Sequence, residues 1–109
     1  MGVADVAERP ANQGAIIGRM DFEWDPEKAV TNLKKQGVSF HEAASVLGDP
    51  MSVTFYDPDH STEEDRYISI GRSSRDRLII VSHCDGDDRV RIISARTVTR
   101  RERKIYENG

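Results

Sequence analysis

The chain has 109 residues, of which 37% are hydrophobic and 32% charged, enough for one domain with a modest core. Its formal net charge of −3 is divided unevenly, because residues 1–65 carry five lysines and arginines against thirteen acids, whereas residues 66–109 carry eleven against six. The single cysteine, Cys84, excludes an internal disulfide and no apolar run is long enough to cross a bilayer, so a cytoplasmic protein is predicted.

The first 19 residues differ in composition from the rest of the chain. They are rich in alanine, glycine, asparagine and glutamine, and they show no sustained apolar period. Such a segment is predicted to form a flexible extension over residues 1–19, so that the domain begins at Met20 and comprises residues 20–109. The alternative is an ordered arm that packs on a partner.

A short strand and a helix are predicted to open the domain. Residues 21–24 alternate polar and apolar, which is typical of a strand with Phe22 and Trp24 on one face. The helix is predicted to begin after Asp25 and to end at Gly37, because these residue types cap helix starts and ends. The apolar stripe predicted to bury this helix consists of Ala29, Val30 and Leu33.

A second helix is predicted to begin with the capping-box pattern Ser39-x-x-Glu42. After this helix the period of the apolar residues changes from 3.6 residues to two. The unbroken apolar run at residues 78–81 is suited to a central strand covered on both faces. Asp85-Gly86 predicts a tight hairpin. Four strands are predicted in this region, at residues 51–56, 65–70, 77–83 and 88–95.

A second capping-box pattern, Thr99-x-x-Glu102, predicts a final helix of about two turns, which is expected to dock through Ile105 and Tyr106 because it is too short to be stable alone. The order of elements predicts an α+β fold, in which an antiparallel four- to five-stranded sheet carries the two N-terminal helices on one face, followed by the short C-terminal helix. The other face of the sheet stays open to arginines of the late strands. Their local excess favours an anionic partner such as nucleic acid, although a salt-bridged surface would carry the same charges.

Four segments of the sequence follow one another in a family-specific order and spacing. They are Phe22-Glu-Trp-Asp25, Lys35-Gln-Gly-Val-Ser-Phe40, Asp59-His60 with Glu64-Asp-Arg66, and Arg91-Ile-Ile-Ser-Ala-Arg96 with Arg101-Glu102 and Tyr106. Over residues 20–109 this set resembles the BrnT toxins of bacterial type II toxin–antitoxin pairs, and the block at residues 91–96 is its most specific part. The sequence departs from the family at Gln36, where a histidine is usual; if that histidine assists proton transfer, a weaker or altered nuclease is expected.

The resemblance implies a RelE-like fold and a metal-independent ribonuclease that cleaves RNA and arrests translation. It also implies a partner, a ribbon-helix-helix antitoxin (BrnA), which neutralises the toxin in a hetero-oligomer and through which alone the pair contacts operator DNA. No cofactor and no membrane contact are predicted. The segments Asp57-Pro-Asp-His60 and His83-Cys-Asp85 lack the spacing of zinc or calcium sites, so no metal site is predicted either.

Cleavage of RNA without a metal needs a base for the 2′-OH, a cation for the charge on the phosphorane and an acid for the leaving 5′-oxygen. Glu64 is the candidate base, and on a strand it shares a face with Arg66, two residues away. Arg66, Arg91 and Arg96 are candidate phosphate clamps, because a guanidinium binds phosphate oxygens bidentately. Arg91 and Arg96 differ in strand parity, so they share a face only if the strand ends or bulges near Ala95. The acid is left open among His60, His83 and Tyr106.

Further basic residues complete the predicted site. Lys35 is placed with the catalytic residues, although the C-terminal dipole of a helix favours a lysine there without any catalytic role. Contacts to RNA are predicted for Arg72, Arg89, Arg100 and Arg101. The structural alternatives are a cross-strand ion pair for Glu64 with Arg66, and antitoxin binding or solvation of the helix for Arg96, Arg100 and Arg101. The alternative function is a non-catalytic binding module that acts as co-repressor with its DNA-binding partner.

Overall fold

The computed structural model describes residues 13–17, 20–61, 64–86 and 88–108. A 3-10 turn, Pro58–His60, lies in the connection between the third and fourth strands. The helices and strands of the described residues are β1 (Gln13–Ile17), β2 (Met20–Trp24), α1 (Pro26–Gln36), α2 (Phe40–Val46), β3 (Val53–Tyr56), β4 (Arg66–Arg72), β5 (Leu78–Asp85), β6 (Arg89–Thr97) and α3 (Arg100–Asn108).

Strand β1 is an element that the sequence did not predict. It pairs antiparallel with β2, with Gly14 opposite Glu23. A Cβ added at Gly14 would lie 2.2 Å from the carbonyl oxygen of Phe22, so this pairing requires glycine. Residues 1–12, 18 and 19 of the predicted extension lie outside the described residues, and the domain boundary at Met20 stays a prediction.

The sheet has the strand order β1-β2-β6-β5-β4-β3 among the described residues. Strands β3 to β6 form the predicted antiparallel meander, but β2 pairs with β6 in parallel. The two helices carry the chain from β2 to the far edge of the sheet, and the meander returns with its last strand parallel to β2. The predicted α+β class is therefore confirmed, whereas the purely antiparallel sheet is wrong and the RelE-like description is only approximate.

Helices α1 and α2 cover one face of the sheet, as predicted, and Phe22 and Trp24 are buried beneath them. The predicted apolar stripe of α1 is wrong, because Val30 and Leu33 are 54% and 51% exposed and only Ala29 packs against the core. The buried residue of α1 is Asn32. Because β2 pairs with β6 only as far as Arg91, the remaining edge of β6 needs another polar partner, which Asn32 supplies.

The predicted helix caps are present at all four expected positions. Asp25 accepts a hydrogen bond from the backbone N–H of Glu27 at 2.8 Å, and Gly37 has a φ of 69°. The reciprocal box at Thr99-x-x-Glu102 is complete, with bonds of 2.9 and 3.2 Å. The Ser39-x-x-Glu42 box is wrong in one half, because Ser39 caps the helix while the Glu42 carboxylate binds Arg77 and Ser73 instead.

Helix α3 docks against the end of the sheet face that α1 and α2 leave uncovered. The Tyr106 hydroxyl donates to Asp49 Oδ2 at 2.7 Å, which confirms the predicted docking residue. Ile105 stays 38% exposed, so its part in the predicted docking stays a prediction. None of the described helices is long and apolar enough to cross a membrane.

Candidate functional site

Three side chains form a row on the sheet face opposite α1 and α2. Arg66 on β4 lies directly opposite Cys84 on β5, which lies directly opposite Arg91 on β6. Directly paired residues share a face of a sheet, so the two guanidiniums flank the thiol. This set, the arginine row, lies at the end of the face that is distant from α3, because α3 contacts the other end of β4 near Arg72.

A carboxylate lies at the middle of the arginine row. Glu64, which precedes β4, forms an ion pair with Arg91 and lies close enough to Cys84 for its charge to act on the thiol. The Glu64 and Arg91 side chains are 46% and 42% exposed, so solvent reaches the pair. Burial raises the pKa of the Cys84 thiol and the Glu64 charge raises it further, which keeps the thiol protonated. The structure thus brings together Glu64, Arg66 and Arg91.

Among the described residues, one donor of the arginine row has no hydrogen-bond partner. The Nε of Arg66 is buried and lacks a hydrogen bond, which holds for no other buried side-chain nitrogen or oxygen of the described residues. An unpaired buried donor costs about 1–3 kcal/mol. Because this atom is inaccessible to solvent, a ligand oxygen can bond it only if the Arg66 side chain moves.

A bulge in β6 aligns its later side chains with the arginine row. Ser94 pairs with Ser82 whereas Ile92 pairs with His83, so Ile93 is an extra residue. This shift in register, close to the predicted position at Ala95, moves Ser94 and Arg96 onto the same face as Arg91. A second row follows the arginine row across four strands and consists of Phe55, Ile68, Ser82 and Ser94.

A groove of about 280 Å³ runs along this face beside the second row. Its sheet floor is apolar at Ile68 and Ile80 and polar at the two serines of the second row, and Arg96 stands at one end. The Gln36 and Asn32 side chains of α1 contribute to its rim. The groove and the arginine row therefore share one continuous, solvent-accessible face.

Arg96 lies two residues beyond Ser94 in β6 and is held by α3. Its guanidinium binds Glu102 bidentately, with N–O distances of 2.8 and 2.9 Å, and this contact lowers the pKa of Glu102 to about 2. Two successive side chains on one face of a strand are about 7 Å apart, so Arg96 is about 13 Å from Arg91 along β6. The structure places Arg96 on the predicted face but pairs it within the protein.

The other predicted basic residues lie outside the arginine row. Lys35, in the last turn of α1, lines a separate cavity of about 390 Å³ with Ile93. Arg72 contacts Asp76 and the ring of Tyr106, while Arg89 pairs with Glu23 at 3.0 Å. Arg100 and Arg101 are exposed on α3.

The three candidate acids lie in different places. His83 is 3% exposed on the side of the sheet that faces α1 and α2, where it bonds Ser69 and Asp85 at 2.8 and 2.6 Å. Tyr106 is bound to Asp49 on α3, at the other end of the open face. His60 is exposed in the 3-10 turn and bonds Asp57 at 2.9 Å, in the connection that also carries Glu64.

Sequence reasoning missed several residues of the site. Cys84, Ser82 and Phe55 join the open face only because the strands pair in this register. The position of Ser82 between the buried Val81 and His83 in β5 was the available signal for one of them. No group of three or more histidine, cysteine, aspartate or glutamate side chains in the described parts of the chain is arranged to hold a metal ion.

Comparison with known proteins yields a family match and matches among solved structures. The profile of a family described as "Ribonuclease toxin, BrnT, of type II toxin-antitoxin system" matches residues 24–102. The crystal structure of the Brucella abortus ribonuclease toxin BrnT superposes with a TM-score of 0.51 and 25% sequence identity, covering 71% of this chain and 94% of that one. A search of curated protein sequences finds no match.

Proposed function

Since the chain belongs to the BrnT family of ribonuclease toxins from type II toxin–antitoxin systems, we propose that it is a metal-independent endoribonuclease that arrests translation by cutting RNA. The observation that carries this proposal is the convergence of Glu64, Arg66 and Arg91 on the face that α1 and α2 leave uncovered. Phosphodiester cleavage by internal attack needs a base and cations that bind the phosphate. A carboxylate beside two guanidiniums can supply both.

In the proposed reaction, Arg66 and Arg91 hold the scissile phosphate. The phosphate takes over the Arg91 guanidinium from Glu64, and the freed carboxylate accepts the proton of the 2′-OH. The 2′-oxygen bonds to phosphorus as the bond from phosphorus to the 5′-oxygen breaks, which leaves a 2′,3′-cyclic phosphate and a 5′-OH. The two guanidiniums stabilise the charge that grows on the phosphoryl oxygens in the transition state.

The leaving 5′-oxygen needs a proton, and we assign this role to His60. It is the one candidate acid that lies in the same connection as Glu64, and its side chain is 66% exposed. His83 and Tyr106 are bound elsewhere in the fold. A histidine is a suitable proton donor near neutral pH.

The partner follows from the same surface. A type II family implies an antitoxin, and we propose that it is a ribbon-helix-helix protein that covers the arginine row and links the toxin to operator DNA. The excess of basic residues in residues 66–109 supports an acidic or phosphate-bearing ligand on this side. The proposed location is the cytoplasm, where the RNA substrate is.

The double substitution Arg66→Ala/Arg91→Ala tests the proposal, with Arg75→Ala/Arg103→Ala as the matched control. Both pairs remove two positive charges, but Arg75 and Arg103 are exposed and lie away from the row. We expect RNA cleavage to fall at least 100-fold in the first variant only. Unchanged RNA fragments and unchanged growth arrest would leave the non-catalytic co-repressor as the better function.

Glu64→Gln tests the assigned base. The variant keeps the shape of the side chain but cannot accept the 2′-OH proton, so we expect cleavage to fall by about 100- to 10,000-fold. Glu107→Gln on α3 is the control, because Glu107 is also an exposed carboxylate with an arginine neighbour.

Cleavage by the unaltered protein is expected to persist in EDTA. Loss of cleavage in EDTA, with recovery on added Mg²⁺, would refute metal independence.

A further inference from the structure

One large aromatic side chain is exposed on the open face of the sheet next to the arginine row. Phe55 is 44% exposed, and its strand β3 forms the edge of the meander. We propose that Phe55, with Ile68, Ser82 and Ser94, binds one or two unpaired bases of the RNA whose phosphate lies on the arginine row. This inference rests on the proposed function and adds the part of the substrate that the row of arginines does not contact.

The register of four strands places these side chains in line. Phe55 is paired with Ile68, Ile68 with Ser82, and Ser82 with Ser94, so that all four share one face. Neighbouring strands are about 4.8 Å apart, which gives the line a length of about 14 Å. Along their strands, Ile68 lies two positions from Arg66 and Ser82 two positions from Cys84, or about 7 Å, while Ser94 lies three positions from Arg91 because of the bulge. A base attached to a bound phosphate falls within that reach.

The chemistry of the line suits a nucleobase. The Phe55 ring offers a flat apolar face, and aromatic faces stack on any base. Ile68 and Ile80 continue the apolar floor into the groove, while the hydroxyls of Ser82 and Ser94 can donate to or accept from the edge of a base. Sheet surfaces that combine stacking side chains with polar groups bind single-stranded RNA in this way.

A protein partner fits this line less well. Docking surfaces for proteins are apolar at their centre and depleted of charge. The line carries one exposed aromatic residue, continues into two hydroxyls, and is bordered by Arg66 and Arg91 on one side and Arg96 on the other. A nucleotide, with one flat apolar part and one anionic part, matches this alternation.

Three substitutions test the inference in a Glu64→Gln background, in which RNA is bound but not cut. Phe55→Ala removes the stacking face, Phe55→Tyr keeps it, and Tyr56→Ala removes an aromatic side chain that is 50% exposed on the opposite face of the same strand. Fluorescence anisotropy with a labelled single-stranded RNA measures binding. We expect Phe55→Ala to weaken binding about tenfold and the other two variants to bind as the background does. Thermal melts check that each variant is folded.

An RNA that lacks one base beside the scissile phosphate localises the effect. Against this abasic RNA, Phe55→Ala and its background are expected to bind equally, because the stacking partner is already absent. Equal binding of the complete RNA by both proteins would overturn the inference while the proposed function stands. Loss of antitoxin binding with unchanged RNA binding would also overturn it and assign Phe55 to a protein surface. Failure of the unaltered protein to bind or cut RNA would refute the proposed function and this inference together.

Discussion

A buried carboxylate is held at the start of α2 by residues distant in the sequence. Glu42 is 3% exposed and accepts from Arg77 Nε at 2.9 Å and from Ser73 Oγ at 2.7 Å. The Arg77 hydrogen bond holds the pKa of Glu42 below its usual range against the opposing effect of burial. Arg77 also donates to the Gly37 carbonyl at 3.0 Å, so one guanidinium joins the α1–α2 connection to the β4–β5 turn.

Removal of this guanidinium is expected to destabilise the protein strongly. In Arg77→Met the Glu42 carboxylate stays buried without its cation, and we expect a loss of about 3 kcal/mol in the free energy of unfolding, measured by urea denaturation. Arg75→Met, at an exposed position of the same turn, is the control and is expected to be nearly neutral. Equal stability of the two variants would contradict the role assigned to Arg77. Glu42→Gln combined with Arg77→Met should recover part of the loss.

Glu42 also shows what local patterns omit. The Ser39-x-x-Glu42 spacing predicted a helix start correctly, since Ser39 accepts from the Glu42 N–H at 3.0 Å. It did not predict the direction of the carboxylate, because Arg77 is 35 residues away and only the fold brings it near. The same limit applies to Phe55, whose place beside Ile68 depends on strand register.

At the scale of elements, Asn32 replaces a missing strand contact. Its amide donates to the carbonyls of Val38 and Ala95, both at 2.9 Å, and its oxygen accepts from the Ala95 N–H at 3.1 Å. Asn32→Ala is expected to cost about 3 kcal/mol of unfolding free energy, because buried backbone groups lose their partners. Thr31→Ala, one position earlier and exposed, serves as the reference. Faster amide hydrogen exchange at Ala95 would show that the loss of stability arises at this contact. A stability equal to that of Thr31→Ala would contradict the role assigned to Asn32.

The contact between α3 and β6 is expected to weaken in acid. The pKa of Glu102 is lowered from 4.5 to about 2, chiefly by Arg96, so the stabilisation is complete above about pH 4.5 and is lost as the pH falls towards 2. Since Glu102 is 20% exposed and Arg96 43%, we expect a contribution on the order of 2 kcal/mol. Glu102→Gln can still cap the helix but lacks the charge. The difference in unfolding free energy between this variant and the unaltered protein should therefore become small at pH 2, where Glu102 is half protonated, and vanish below it; a constant difference would refute the linkage.

Element types were more predictable from the sequence than element faces. The helix starts at Asp25, Ser39 and Thr99 follow from short-range capping, which a sequence displays directly. The buried face of α1 could not be predicted in this way. Its apolar residues Val30 and Leu33 point outward, and the polar Asn32 makes the contact with β6. The period of the hydrophobic residues identifies a helix. Which side chain of α1 is buried depends on the unpaired edge of β6 that the helix contacts.

For the whole molecule, the net charge of −3 implies that RNA binding depends on local cations and is sensitive to salt. We expect the affinity for single-stranded RNA to fall with rising salt, and Arg100→Gln/Arg101→Gln to reduce the slope of log affinity against log salt by about 1.4. Lys28→Gln/Lys34→Gln on α1 is the control and should leave the slope unchanged. A slope unaffected by the α3 substitutions would assign Arg100 and Arg101 to antitoxin binding.

The parallel pairing of β2 with β6 also sets the order of events during synthesis. Residues 20–24 leave the ribosome well before their neighbour in the sheet, residues 89–97, is made. Contacts this distant along the chain form slowly and only once both segments exist. Arg91 belongs to that later strand, so a nascent polypeptide lacks one of the proposed cutting groups until β6 has been synthesised.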